Sequence, residues 1–260
     1  MNKHGVAFGI NYQGTQNELN GCLRDAEYWA SQMNTANVKP LPWMPTNAVL
    51  EKKATKVEII KTIEWIFAQT TPGDRVFIMY SGHGTIVPPG IQSLVPYDFN
   101  WEKPSTWLTY DEIDHLLVEH TKSEVRVLLL FDSCHSAADP RKHMRDLNHS
   151  KIKSRYLTPP QRMLKMLLGN PFHRNMITAE DQFATLLAGC RREQTSADAE
   201  IGGEYWGAFT YSCRKVLTHK LTANSIEIVH GAQAYLNENG YDQVPQACGD
   251  PEDLQEPFWG

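Results

Sequence analysis

The run Val125-Arg126-Val127-Leu128-Leu129-Leu130-Phe131 constrains the fold more than any other stretch of this chain. Its hydrophobicity is nearly continuous, and such a strand must be buried on both faces, as in the middle of a parallel sheet covered by helices. Residues 75–80 (Arg75-Val76-Phe77-Ile78-Met79-Tyr80) have the same character, and residues 6–10 supply a third strand. Helical patterns separate them. Residues 20–33 place Cys22, Ala26, Trp29 and Met33 on one stripe, and a later segment turns Ile60, Ile63 and Phe67 inward before Pro72-Gly73 ends it. Thr55-Lys56-Val57-Glu58 and Thr109-Tyr110-Asp111-Glu112 have the spacing of capping boxes. The alternation predicts an α/β fold with a mostly parallel central β-sheet sandwiched by helices.

The pattern breaks over residues 136–178, which are basic, contain Pro159-Pro160 and show only one short helical patch at Met163, Leu164 and Leu167. It resumes with a strand at 183–188 and helices at about 208–217 and 225–237, the last closed by Asn239-Gly240. The net charge of -5 hides an asymmetry. Residues 141–175 carry nine Lys/Arg and one acid, Asp146, so this segment is +8 and the remainder -13. The mildly acidic total argues against a nucleic-acid partner. No apolar run is long enough for a membrane span. Five cysteines (Cys22, Cys134, Cys190, Cys213, Cys248) without a pairing pattern, and a start without a secretory leader, predict a cytoplasmic protein with reduced thiols.

Two strands run directly into polar clusters. Residues 75–80 lead into Ser81-Gly82-His83-Gly84, and the 125–131 run leads into Asp132-Ser133-Cys134-His135-Ser136. Open parallel sheets bind ligands beyond the carboxyl ends of their strands, so His83 and Cys134 are expected to meet in space. A thiol beside an imidazole is a nucleophile with a base. Backbone N–H groups at Gly84 and Cys134 are placed to stabilise an oxyanion. Alone, Cys134 reads as a packed thiol and His83 as a turn residue; together, at neighbouring strand ends, they favour catalysis. A zinc site fits less well, because adjacent Cys134 and His135 make poor ligand geometry and no second Cys/His cluster has zinc spacing.

These two clusters resemble the catalytic motifs of metacaspases and orthocaspases. Gly9-Ile10-Asn11-Tyr12 and Leu19-Asn20-Gly21-Cys22-Leu23-Arg24-Asp25-Ala26 agree as well. So do residues 189–199, from Gly189-Cys190-Arg191 to Ser196-Ala197-Asp198-Ala199, and Gly207-Ala208-Phe209-Thr210-Tyr211. The resemblance implies a caspase-hemoglobinase fold. Residues 1–140 would be a large (p20-like) part, 141–178 a basic connector that serves as a processing loop, and 179–260 a small (p10-like) part completing the same domain.

It further implies a cysteine endopeptidase that cleaves after Arg or Lys, with a pocket for that residue built from Cys22, Asp25, Ser81 and Asp132. Two features of the chain agree independently. Cys22 and Asp25 are three apart and share a helix face, and Asp132 and Cys134 point the same way in extended chain. Asp198 matches a family segment near the cleft. Tyr205 and Trp206 stand where they could line a substrate groove or simply pack. Many metacaspases use calcium through several aspartates, but residues 85–92 contain no acid, and only Asp111 and Asp139 remain. No cofactor is therefore expected to be required. A monomer without a prodomain, with peptide or protein substrates, completes the expectation. The competing reading is a catalytically silent binding or scaffold module.

Overall fold

The structure, a computed structural model, describes residues 1–134, 152–168, 184–191 and 194–260. The strands are β1 (Lys3–Gly9), β2 (Ala48–Leu50), β3 (Arg75–Ser81), β4 (Gly84–Val87), β5 (Ile91–Leu94), β6 (Leu108–Thr109), β7 (Arg126–Asp132), β8 (Ile152–Ser154), β9 (Thr185–Ala188), β10 (Ala197–Ile201), β11 (Glu204–Gly207) and β12 (Gln246–Cys248). The helices are α1 (Cys22–Thr35), α2 (Lys56–Gln69), α3 (Tyr110–His120), α4 (Gln161–Leu168), α5 (Ala208–His219), α6 (Ser225–Glu238) and α7 (Pro251–Gln255).

Six strands form the central sheet in the order β12-β9-β7-β3-β1-β2. All neighbours are parallel except the edge pair β12 and β9. Side-chain alternation divides the core between the two faces. Val6, Phe8, Val76, Ile78, Val127, Leu129 and Phe131 point to one face, where Ile59, Ile63 and Phe67 of α2 and Ile113, Leu116 and Leu117 of α3 cover them. Ala7, Phe77, Met79 and Leu130 point to the other, beneath Trp29 and Met33 of α1, Phe209 and Cys213 of α5 and Ile228 of α6. This two-sided burial is the physical reason the 125–131 run has no polar alternation.

Several local readings need correction. Thr55 and Thr109 cap α2 and α3 by accepting from the N–H of Glu58 and Glu112. Neither forms a full capping box; Glu112 instead pairs with Lys56 at 2.8 Å. A complete box occurs at Asn224 and Glu227, where the chain enters α6. The 136–178 break is not irregular throughout. Strand β8 pairs with β10, which pairs with β11, in a three-stranded antiparallel sheet. A second small sheet, β4-β5-β6, follows the His83 turn. Trp206 is buried, packed edge-on against Tyr28 and Tyr211 with Arg214 over its ring. Among the described residues, no helix is long and apolar enough to cross a membrane.

Candidate active site

Strands β3 and β7 run side by side in a register that sets Ser81 opposite Asp132. His83 and Cys134 each lie two residues beyond that pair, so strand geometry brings both to one end of the sheet. Both are buried. His83 Nε2 lies 2.7 Å from the carbonyl oxygen of Asn17. A carbonyl only accepts, so Nε2 carries the hydrogen and, in the neutral ring, Nδ1 keeps its lone pair. Nδ1 is buried without a hydrogen-bond partner among the described residues.

The ring also packs at a tilt of 34° against Tyr12, 4.8 Å between centroids. The Tyr12 hydroxyl accepts from the His83 N–H, and the Tyr80 hydroxyl donates to the His83 carbonyl. These two tyrosines hold the turn that carries the imidazole, and the sequence reading missed them.

Burial pushes His83 down to about 4, with the carbonyls of Asn17 and Arg155 pulling the other way. A histidine whose folded value is depressed costs stability as pH falls, because the unfolded chain takes up its proton first. The Tm advantage of wild type over His83→Gln is therefore expected to shrink between about pH 6.5 and pH 4. Thermal melts of the two proteins across that range test this. A constant difference would contradict it.

The carboxylates gather beside this pair. Asp25, Asp132 and Asp198 are all fully buried, and Ser81 Oγ donates to Asp25 at 2.8 Å. Cys22 is buried in the same place, its thiol interacting with Ser81 and pushed up by burial. At the centre sits Arg155, also 0% exposed. Its guanidinium reaches Asp25 at 2.7 Å, Asp132 at 3.1 Å, Asp198 at 3.1 Å and Ser81 Oγ at 2.8 Å. Asp25, Ser81 and Asp132 of the expected residues thus contact one arginine, with Cys22 within reach of its charge. Asp198, matched only to a segment near the cleft, contacts the same guanidinium; it also accepts from the N–H groups of Asn20 and Gly21.

Three carboxylates against one guanidinium leave an excess of negative charge. The excess is relieved in part at Asp25, which burial raises to about 7 against the pull of Arg155, with Asp132 adding to the rise. Asp132 is held differently, accepting from Ser196 Oγ at 2.6 Å, the Thr210 N–H at 2.9 Å and Thr210 Oγ1 at 2.8 Å. Gly207 closes the pocket wall, donating its N–H to both oxygens of Asp25. A Cβ there would collide with Asp132, Arg155 and Asp25, so the position must stay glycine. Gly207, Ser196 and Thr210 lie in segments that carried the resemblance, but without side-chain roles.

The backbone around Arg155 is equally ordered. Its carbonyl accepts from the Gly84 N–H at 2.9 Å, the expected oxyanion donor. No bond from the Cys134 N–H to that oxygen appears among the described residues. The Ser196 N–H donates to Cys134 Sγ, and Cys134 and Cys190 pack with Tyr156.

Calcium would need several of the family's aspartates, of which this chain keeps Asp111 and Asp139. Asp111 is exposed at the start of α3, and Asp139 lies outside the described residues. Among the described residues no group of three or more His, Cys, Asp or Glu could hold a metal.

The metacaspase, peptidase C14 domain family profile matches residues 3–139. Metacaspase-1 of Schizosaccharomyces pombe is 26% identical over 96% of this chain and 68% of its own length. Metacaspase-5 of Trypanosoma cruzi is 26% identical over 96% of this chain and 58% of its own. The chain thus covers 68%, 58% and 51% of the length of three such metacaspases. Protein GSU0716 of Geobacter sulfurreducens superposes with a TM-score of 0.73 at 23% identity, over 100% of this chain and 98% of that one. Caspase-1 of Spodoptera frugiperda superposes with a TM-score of 0.58 at 11% identity, over 95% and 88%. Both superpositions concern the fold, which is that of caspases. With a profile match over more than half its residues, the chain belongs to the metacaspase, peptidase C14 family of caspase-like cysteine proteases.

Proposed function

We propose that this protein is a cysteine endopeptidase that cleaves after Arg or Lys, with Cys134 as nucleophile, His83 as its acid and base, and Asp25, Ser81, Asp132 and Asp198 as the pocket for the basic residue. The observation that carries this reading is the fully buried Arg155 held by those four side chains. A guanidinium among fixed carboxylates is a pattern an incoming arginine would reproduce. A lysine would reach the same charges with fewer hydrogen bonds.

In the reaction, the substrate carbonyl accepts the Gly84 N–H. Cys134 passes its proton to Nδ1 of His83 and attacks the carbonyl carbon. The developing oxyanion is stabilised by that N–H. His83 then protonates the leaving amine, and a thioester to Cys134 remains. Water, giving a proton to His83, hydrolyses the thioester and restores the thiol. The Asn17 carbonyl keeps the ring in the tautomer this requires. No step is routed through a metal.

The proposal is tested with reporter peptides ending in Arg, Lys or Asp, assayed with wild type and Cys134→Ala. Turnover after Arg and Lys that is absent in Cys134→Ala supports it. Equal turnover in the variant, or preference for Asp, overturns it. A chelator is expected to leave the arginyl rate unchanged. Loss of activity with EGTA, restored by added calcium, would overturn calcium independence. The same specificity makes the basic residues of 141–178 candidates for self-cleavage.

A further inference from the structure

Arg155 does not reach the pocket as an isolated side chain; it arrives on a strand. β8 lies antiparallel to β10, with Ile152 opposite Ala199, Lys153 opposite Asp198 and Ser154 opposite Ala197. The Arg155 N–H donates to the Ser196 carbonyl at 3.1 Å, extending that ladder to the residue in the pocket. Lys153 Nζ donates to the Glu18 carbonyl at 2.7 Å. Main-chain pairing of this kind is how clefts hold extended peptides.

The far side of the Arg155–Tyr156 bond is anchored as firmly. The Leu157 N–H donates to the Gly84 carbonyl at 2.9 Å, and Thr85 Oγ1 donates to the Leu157 carbonyl at 2.6 Å. Leu157 is buried as part of the main core cluster, and Tyr156 is buried against Cys134 and Cys190.

We propose that residues 152–157 are a tethered, substrate-shaped inhibitor. They present the Arg155–Tyr156 bond to Cys134, but both halves stay docked, so the bond is cut slowly and reversibly and the segment keeps other substrates out. This rests on the protease reading above. Attack of Cys134 on the Arg155 carbonyl forms the thioester and breaks the bond to Tyr156 nitrogen, which takes its proton from His83. In an ordinary substrate that amine diffuses away and water completes the reaction. Here Leu157 and its hydrogen bonds keep the amine beside the thioester. A held nucleophile acts at an effective concentration far above that of free reactants, up to about 10⁵–10⁸ M in well-oriented cases. The amine therefore re-forms the peptide bond before water reaches the thioester, and Tyr156 over Cys134 obstructs that water.

The test compares wild type, Arg155→Ala and Leu157→Ser. Intact-protein mass spectrometry follows cleavage at 155–156, and an arginyl reporter follows turnover. Wild type is expected to stay largely uncut and to hydrolyse the reporter at least about tenfold more slowly than Arg155→Ala. Leu157→Ser, which frees the leaving side, is expected to be cut at 155–156 to completion. An arginyl chloromethyl ketone should label Cys134 of wild type more slowly than that of either variant. Should Arg155→Ala fail to fold, Leu157→Ser and the labelling rates decide. Complete cleavage of wild type at 155–156 in step with rising activity overturns the proposal. So does a wild type that turns over reporter and takes label as fast as the variants. Failure of the protease reading looks different: no protein would be cut, labelled or active.

Discussion

Cys134→Ala protein is expected to lose hydrolysis of arginyl and lysyl reporters by about 10³-fold at the least, while its unfolding midpoint in urea stays near that of wild type. The side chain is small; among the described residues it packs with Tyr156 and Cys190 and accepts the Ser196 N–H, so removing the sulfur costs about 1 kcal/mol. The chemical loss has no such cushion. Without the thiol no thioester forms, and the Gly84 N–H and the basic pocket can only bind the substrate. Reporter kinetics and urea titration on the same preparation separate the two effects. Retained turnover would remove Cys134 from the mechanism. A collapsed midpoint would make it a structural residue.

The second large effect belongs to Asp132, and its contrast with Asp25 makes it diagnostic. Asp132 faces donors from Ser196, Thr210 and Arg155. Asp132→Asn puts an amide NH₂ against one of them, and neither the Thr210 N–H nor the guanidinium can become an acceptor. Arg155 keeps Asp25 and Asp198, so the cost is that of buried donors facing a donor, about 1–3 kcal/mol. Asp25→Asn removes less, because burial already raises Asp25 and favours its neutral form. Urea unfolding should rank Asp132→Asn well below Asp25→Asn, and both should raise KM for the arginyl reporter more than they lower kcat. The reverse order of stability would contradict the charge balance drawn for the pocket.

Much of this site was legible because it is built on strands. Ser81-Gly82-His83-Gly84 and Asp132-Ser133-Cys134 follow the two most apolar runs, and register does the rest. Cys22 and Asp25 could be paired by helix spacing alone. Arg155 could not be singled out. It is one of nine basic residues in a segment whose only periodic patch lies beyond it, at 163–167, and only the long-range pairing of β8 with β10 distinguishes it. Tyr12, Tyr80 and the Asn17 carbonyl were hidden for a similar reason. Their roles depend on loops folding back over His83, and a backbone carbonyl leaves no mark in the choice of residue. Asp198 was legible only as part of a resembling segment, since its partners are the distant N–H groups of Asn20 and Gly21.

The most direct measurement is kcat/KM for peptides that differ only in the residue before the scissile bond, taken with wild type and with Arg155→Ala. A pocket of three carboxylates predicts turnover after arginine and lysine at least about 10²-fold above that after aspartate in both proteins. Turnover after aspartate that equals or exceeds turnover after arginine would contradict the account.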